Sequence, residues 1–374
     1  MTRLPVAAST EAGHAVSMGR DEHRRTALAM VAPGTALRDG LERIVRGNTG
    51  ALVVVGCDAV VQAICSGGFD LDTDFSATRL RELAKMDGAI VLDQAARRIL
   101  RAAVQLVPDP RLPTSESGTR HRTAERTARQ TGFPVITVSK SMRTIAVFAA
   151  GERYVLEDSA ALLARAHQEL DTLERYRRRL DEVTRLLTAL EIEDRATVAD
   201  IALVVQQLEL VRRVTDAVAG YLVELGTDAG LLRLQLDELT AGTRRQRELL
   251  LRDYEPDIAE PSSQPAARAA DRLAALGADA LADLPAVAAT IGLARPADPA
   301  GKVSPRGYRV LGQIPRLAPE VSDRLILQFG GLQKLLSASA QDLRQVPGLD
   351  PALAATIRDG LSRVAEAALL DRYP

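Results

Sequence analysis

The sequence predicts a multidomain chain, mixed α/β in its first part and all-α in the rest. Three observations carry this. As far as about residue 156, short apolar runs rich in β-branched residues, many closed by glycine, are interspersed with helical patterns. At Glu157 the apolar spacing changes to steps of three and four that persist over long stretches. In the last third, two similar segments each place a tight apolar turn between helical patterns. The expected division is a loose tail over 1–25, an α/β domain over 26–156, a helical bundle and linker over 157–300, and a helical domain over 301–374.

In chain order, Met1 to about Arg25 mix Ser, Gly, Glu and Arg without period. Pro33-Gly34 ends a short apolar run, and Thr35 is placed to cap a helix with Leu37, Leu41 and Ile44 on one face. Gly47-Asn48-Thr49-Gly50 breaks that helix. Ala51–Val55 reads as a buried strand closed by Gly56, and Val60 to Cys65 as a second run closed by Gly67-Gly68; together they suggest a hairpin. Leu80, Leu83 and Ala84 suggest a short helix that stops at Asp87-Gly88 and feeds a strand from Ala89 to Leu92. Ile99 to Val107 is strand-like and ends at Pro108-Asp109-Pro110. A Pro- and Ser-rich loop leads to Ser117, then a helix from Arg120 to Thr131 sets Ala124 and Ala128 opposite Arg122, Arg126 and Arg129. Strands from Pro134 to Val138 and Thr144 to Phe148 close the domain.

Beyond Glu157 the apolar residues run through Leu163, Ala166, Leu170 and Leu173, then Leu180, Val183, Leu187 and Leu190. Ile201, Val204, Leu208, Val211, Thr215, Val218, Leu222 and Leu225 form a heptad seam, and Leu232, Leu236 and Leu239 continue towards Leu250. Such helices make an antiparallel bundle or an oligomerising coiled coil. Runs such as Glu174-Arg175-Tyr176-Arg177-Arg178-Arg179 read as a solvated face, and Asp253 to Gln264, with Pro256 and Pro261, as a linker.

Composition excludes several classes. Aromatics are 3% with no tryptophan, too few for a base-stacking platform on single strands. Cys57 and Cys65 cannot make a disulfide framework or a zinc site alone and read as structural thiols. No window is long and apolar enough to span a membrane, no leader pattern opens the chain, and a cytoplasmic location is expected. No Walker-type loop is present.

The chemistry concentrates in two motifs. Ser117-Gly118-Thr119-Arg120-His121-Arg122-Thr123 leads hydroxyls, guanidinium groups and a histidine into a helix start, where free N–H groups and the dipole favour an anion, naturally a polyphosphate. The same residues also fit a solvated basic helix start. Asp87-Gly88-Ala89 puts a carboxylate at a turn before a strand, where it can bind a divalent metal or orient a hydroxyl, while the glycine lets a base or sugar approach the backbone; an ordinary turn is the other reading.

Taken together, Met86-Asp87-Gly88-Ala89, Leu106-Val107-Pro108 and Gly118 to Ala124 resemble the two signature motifs and spacer of the bacterial diadenylate cyclases. With the helical middle and paired C-terminal turns, the chain from about Ala27 onwards is similar to the DNA-integrity scanning branch of that family. The resemblance implies two ATP molecules condensed to cyclic di-AMP and two pyrophosphates where two protomers face each other. It implies that Asp87 acts at the ribose 3′-hydroxyl with Mg²⁺ or Mn²⁺, which it also ligates. Thr119, Arg120, His121, Arg122 and Thr123 would hold the triphosphate, and Gly88 and Leu106 would meet the adenosine through their backbones. Where relatives often carry arginines after the strand ending at Ser139, this chain has Lys140-Ser141-Met142-Arg143, so no phosphate role is carried over to Lys140 or Arg143.

The C-terminal turns look like helix-hairpin-helix motifs, in which backbone N–H groups grip a phosphate without reading bases. Val346-Pro347-Gly348-Leu349 matches well; Ile314-Pro315-Arg316-Leu317 lacks the usual glycine, although Arg316 could add a phosphate contact. The region from Gly301 to Pro374 is mildly basic, with ten Lys/Arg against seven Asp/Glu. Pro347, Gly348, Leu349 and Arg316 are the expected DNA contacts. The resemblance implies branched DNA as partner, inhibition of the cyclase by it, a role in DNA damage and repair, and a homo-octamer. The alternative is an oligomeric DNA-structure-binding scaffold whose α/β domain senses a nucleotide without turning it over.

Overall fold

Ala51–Val55 (β1) is buried at every position, as a central strand covered on both faces must be. Around it, in the computed structural model, lie β2 (Cys65–Ser66), β3 (Phe69–Asp74), β4 (Ala89–Leu92), β5 (Arg98–Leu106), β6 (Val135–Ser139), β7 (Thr144–Ala149) and β8 (Glu152–Val155). The sheet order is β2-β5-β4-β1-β6-β7-β8, with β3 also on β5; β1 and β4 are parallel and the other pairs antiparallel. The structure describes residues 22–254, 264–293 and 300–372. They fall into two units, one of described residues within 22–168 and 218–234, the other within 169–217 and 235–372.

Helices cover both faces of the sheet. They are α1 (22–30), α2 (Ala36–Arg46), α3 (Ala59–Ile64), α4 (Ala77–Leu83) and α5 (Thr119–Thr131). Leu41 and Ile44 of α2 and Leu80 of α4 pack on Val53, Val55, Ile90 and Leu92, while Ala124 and Ala128 of α5 and Val61 of α3 pack on Leu52, Val54 and Val91. The alternation along β1 thus feeds two cores, the period-2 geometry of a strand. Thr35 caps α2 as expected, its hydroxyl accepting from the Arg38 N–H at 3.2 Å.

One sequence expectation is overturned. Val60 to Cys65 is not the second strand of a hairpin but mostly α3. Asp58 caps it by accepting from the Val61 N–H at 2.8 Å, and the run buries only Val61 and Ile64, at helical spacing, while Val60 and Gln62 are exposed. Propensity for strand lost to a good cap. The short strands β2, β3 and β8 have mostly exposed residues and give no apolar alternation to read.

The helical region begins with two long helices, α6 (Ser159–Ile192) and α7 (Val198–Leu225), followed by α8 (Gly230–Thr240), α9 (Thr243–Tyr254), α10 (Gln264–Ala274), α11 (Ala278–Ala282) and α12 (Leu284–Thr290). Ile201, Val204, Leu208, Val211, Val218, Leu222 and Leu225 are all buried within the single chain. The heptad seam is therefore core rather than an oligomerising stripe. Asp253 and Tyr254, placed by sequence at the start of a linker, are the buried end of α9; residues 255–263 of that linker lie outside the described residues, as do residues 1–21 of the expected tail.

The C-terminal helices are α13 (Tyr308–Leu311), α14 (Pro319–Phe329), α15 (Leu332–Ser337), α16 (Ala340–Arg344) and α17 (Pro351–Arg372). A buried polar network joins them to the bundle inside the second unit. Asp253 accepts from the N–H groups of Gly307 and Tyr308, each at 2.6 Å, and of Arg309 at 2.8 Å, capping α13. Burial, seconded by the charge of Glu191, pushes the Asp253 carboxyl up to about 7, against which those N–H donors pull. Glu191 of α6 accepts at 2.6 Å from both Arg309 Nη1 and Tyr254 Oη.

Candidate active site

Strand register brings the sequence motifs to one end of the sheet. The parallel β1–β4 register pairs Val53 with Ile90, so Gly50 and Asp87, each three residues before its strand partner, lie at the same end of the sheet. The antiparallel β1–β6 register pairs Ala51 with Val138 and so leads Gly50 to Ser139. Ala89 pairs with Val104, which puts Leu106, two residues on, at the same end. Residues separated by up to ninety positions in sequence therefore meet along one rim because their strands share a sheet.

Gly88 is required here for a reason internal to the fold. Its φ is +111°, and a Cβ on it would lie 2.6 Å from the carbonyl carbon of Ala103 and 2.9 Å from the Val104 nitrogen. Ala103 itself has φ +52° within an irregular stretch of the β4–β5 pairing. The turn that presents Asp87 is thus pressed against a bulged strand, a contact only glycine permits. Asp87 is exposed and ion-paired to no described residue.

The anion cradle also takes shape. Gly118 precedes α5 with extended backbone and no side-chain cap, and the first intrahelical N–H is that of Arg122, bonded to the Gly118 carbonyl at 2.9 Å. The N–H groups of Thr119, Arg120 and His121 are left for a ligand. The Arg120 guanidinium lies over Gly50, where a Cβ would strike it and would sit 3.1 Å from the Val138 carbonyl oxygen. That contact ties the cradle to the same rim as Asp87. Among the described residues Arg120 and Arg122 pair with no carboxylate. The His121 ring meets Phe148 edge-on with centroids 6.4 Å apart. Burial holds its pKa below the usual value, with Arg153 and Arg120 adding to the effect and Glu116 opposing it, so the imidazole is neutral at pH 7.

The rest of the basic face of α5 does other work. Arg126 Nε donates to the Leu112 carbonyl at 2.9 Å and Arg129 Nη1 to the Pro113 carbonyl at 2.6 Å. Buried Glu125 accepts from the Thr114 hydroxyl at 2.5 Å and pairs with Arg129 at 2.7 Å. These residues strap the Pro-rich loop onto the helix. Thr123 is half-buried, and the Leu106 side chain is in the core under α5 while its backbone pairs with Cys65 of β2. Lys140 and Arg143 are exposed in the β6–β7 turn. Sequence reasoning missed Gly50, Glu116 and Glu125, whose roles come from contacts across the sheet or loop; only the glycine cluster at Gly47 to Gly50 carried a signal, and it read as a helix stop.

Among the described residues no group of three or more His, Cys, Asp or Glu side chains is placed to hold a metal. One exposed carboxylate suits an ion that takes its other oxygens from substrate phosphates, as Mg²⁺ does. The rim also exposes Met86, Val107 and Met142, each next to or within three residues of Asp87, Leu106 or Ser139.

In the second unit the two C-terminal turns share one backbone. The Ile314 N–H bonds to the Leu311 carbonyl and the Leu317 N–H to the Ile314 carbonyl; Val346 to Leu343 and Leu349 to Val346 repeat the pattern. Arg316, at φ +60°, occupies the left-handed position that Gly348 takes at φ +80°. Pro347 and Gly348 are exposed, and Leu349 is buried. Arg324 of α14 lies against Gly348 and donates to the Pro347 carbonyl at 2.7 Å.

Residues 38–153 match the family described as DisA bacterial checkpoint controller nucleotide-binding, and residues 156–298 the DisA bacterial checkpoint controller linker region. The chain is 56% identical to the DNA integrity scanning protein DisA of Acidothermus cellulolyticus over 95% of its own length and 96% of that protein. It is 57% identical to the protein of that name from Frankia alni, over 94% and 98%. A crystal structure of DacA from Staphylococcus aureus, a double mutant, covers 33% of the chain at 22% identity with a TM-score of 0.28.

Proposed function

The chain belongs to the DisA family of DNA integrity scanning proteins and is a diadenylate cyclase, and from that premise we propose how its residues perform and regulate the reaction. The observation that carries the mechanism is the convergence of Asp87, the open start of α5 and the unpaired Arg120 on one rim of the sheet.

ATP lies with its triphosphate on the N–H groups of Thr119, Arg120 and His121, held by the Arg120 and Arg122 guanidinium groups and the Thr119 and Thr123 hydroxyls. Neutral His121 donates one hydrogen bond without adding charge. The adenosine sits along the backbones of Gly88 and Leu106. Asp87 accepts from the ribose 3′-hydroxyl and orients its oxygen for attack on the α-phosphorus of an ATP held by a second, facing protomer. One ester bond forms, the bond to pyrophosphate breaks, and the hydroxyl proton leaves towards Asp87. The same step in the opposite direction closes cyclic di-AMP. A Mg²⁺ or Mn²⁺ ion on Asp87 and the phosphates would neutralise charge as it develops. One carboxylate at the turn before β4 of each protomer and the exposed Met86, Val107 and Met142 support a face-to-face pair, the unit from which a homo-octamer would be built.

The paired C-terminal turns act as helix-hairpin-helix elements that grip backbone phosphates of branched DNA through Arg316, Pro347, Gly348 and Leu349, and DNA binding lowers cyclase activity. Their shared backbone supports this reading. The family relationship favours it over a non-catalytic scaffold. The test is to incubate the protein with ATP and either metal and resolve products by mass spectrometry, with and without a four-way DNA junction. Asp87→Asn should abolish cyclic di-AMP and leave ATP binding largely intact; equal loss of both would make Asp87 a binding or structural residue. A junction that leaves product formation unchanged would sink the regulatory reading.

A further inference from the structure

A pocket of about 370 Å³ opens in the second unit among α6, α9, α13 and α17. Its charge is one-sided. Among the described residues Arg185, Arg245 and Arg309 line it, and no carboxylate does. Arg309 is committed to Glu191 and Thr188, but Arg185 and Arg245 are exposed and pair with no carboxylate among the described residues. Asp181 and Glu182, the acids beside Arg185 in the adjoining groove, are already engaged by Arg177 at 3.0 Å and Arg179 at 3.1 Å.

The remaining walls narrow the ligand. Leu249, Val364 and Ala368 give an apolar side. Gln246 spends its Nε2 on the Thr184 hydroxyl at 2.7 Å, and no described group donates to its carbonyl oxygen. A bare phosphate would satisfy the two arginines, yet it would leave the apolar wall uncovered. A phosphorylated nucleoside offers all three features: an anion, a flat body with apolar faces, and amino or hydroxyl donors. The volume is at the small end of the ~300–1,000 Å³ range of ligand pockets, which suits a mononucleotide rather than a dinucleotide.

We propose that this pocket is a second nucleotide site, separate from the rim of the sheet, that takes one nucleoside monophosphate per chain on Arg185, Arg245 and Gln246. It does not depend on the cyclase mechanism. A ligand there touches Gly312 and Gln313, which lead directly into the first C-terminal turn.

The test is equilibrium dialysis of the full chain against radiolabelled AMP, with inorganic phosphate as competitor. Arg185→Ala with Arg245→Ala should weaken AMP binding at least tenfold, because two charge-assisted contacts are lost. Ala367→Trp, which fills the pocket from an exposed position and leaves both arginines in place, should weaken it as much. Arg120→Ala with Arg122→Ala should leave it unchanged, and equimolar phosphate should not displace AMP. Absence of AMP binding, its persistence in either pocket variant, its loss in the Arg120/Arg122 variant, or displacement by equimolar phosphate would each overturn the assignment.

Discussion

Gly88→Ala separates two reasons for a glycine next to the carboxylate. The new Cβ would stand 2.6 Å from the Ala103 carbonyl carbon and 2.9 Å from the Val104 nitrogen, both rigid backbone, at a φ of +111°. Holding a non-glycine residue there costs about 1–3 kcal/mol, and forcing β4 and β5 apart costs a comparable amount. A net penalty of about 3 kcal/mol, localised to this strand pair, lowers hydrogen-exchange protection of the β4 and β5 amides on the order of a hundredfold. The turn carrying Asp87 moves with it, and misplacement of a catalytic group by about 1 Å costs roughly a hundredfold in rate. The assay is exchange mass spectrometry on the ligand-free protein beside cyclic di-AMP formation. Unchanged protection with lost ATP binding would refute the close-approach argument and return Gly88 to the role of making room for the ligand.

Arg120→Ala and Arg122→Ala should each weaken ATP binding roughly tenfold or more, while Arg129→Ala, which loosens the loop over 107–118 and unpairs Glu125, should leave it nearly unchanged in calorimetric titration; equal losses would spread the phosphate site along the whole helix. The His121 ring protons should titrate below pH ~6.5, and since unfolded histidine takes up its proton first, this residue's contribution to stability is present above that pH and declines as pH falls towards the lowered folded value. Bound ATP should raise the His121 midpoint in NMR by linkage; no change would remove His121 from the phosphate site. Glu191→Ala strands the buried Arg309 charge and should destabilise the second unit by about 3–5 kcal/mol in a denaturant titration, with Arg309→Met in the same chain recovering a large part; a loss below about 1 kcal/mol would mean the network contributes little.

How much of this was legible in the sequence depended on the range of the interaction. Thr35 and Gly118 mark helix starts through bonds within a few residues, and β1, β4 and β6 are buried on both faces, so their apolar runs are plain. The α3 segment misled because a six-residue apolar run is ambiguous between strand and helix, and Asp58 decided it. The heptad seam of α7 looks the same whether it faces a partner or its own chain. The basic face of α5 likewise does not say which arginines wait for a ligand and which bond the loop above them.

By itself, then, the sequence determined the order of elements, the anion-ready start of α5 and the carboxylate turn at Asp87, because caps, breakers and hydrophobic period act over a turn or a strand. Only the tertiary structure decided that these motifs share a rim, that Gly88 is pinned by Ala103, and that Arg120 reaches across to Gly50. Strand register and close backbone approach are relations between distant segments, and no local pattern encodes them.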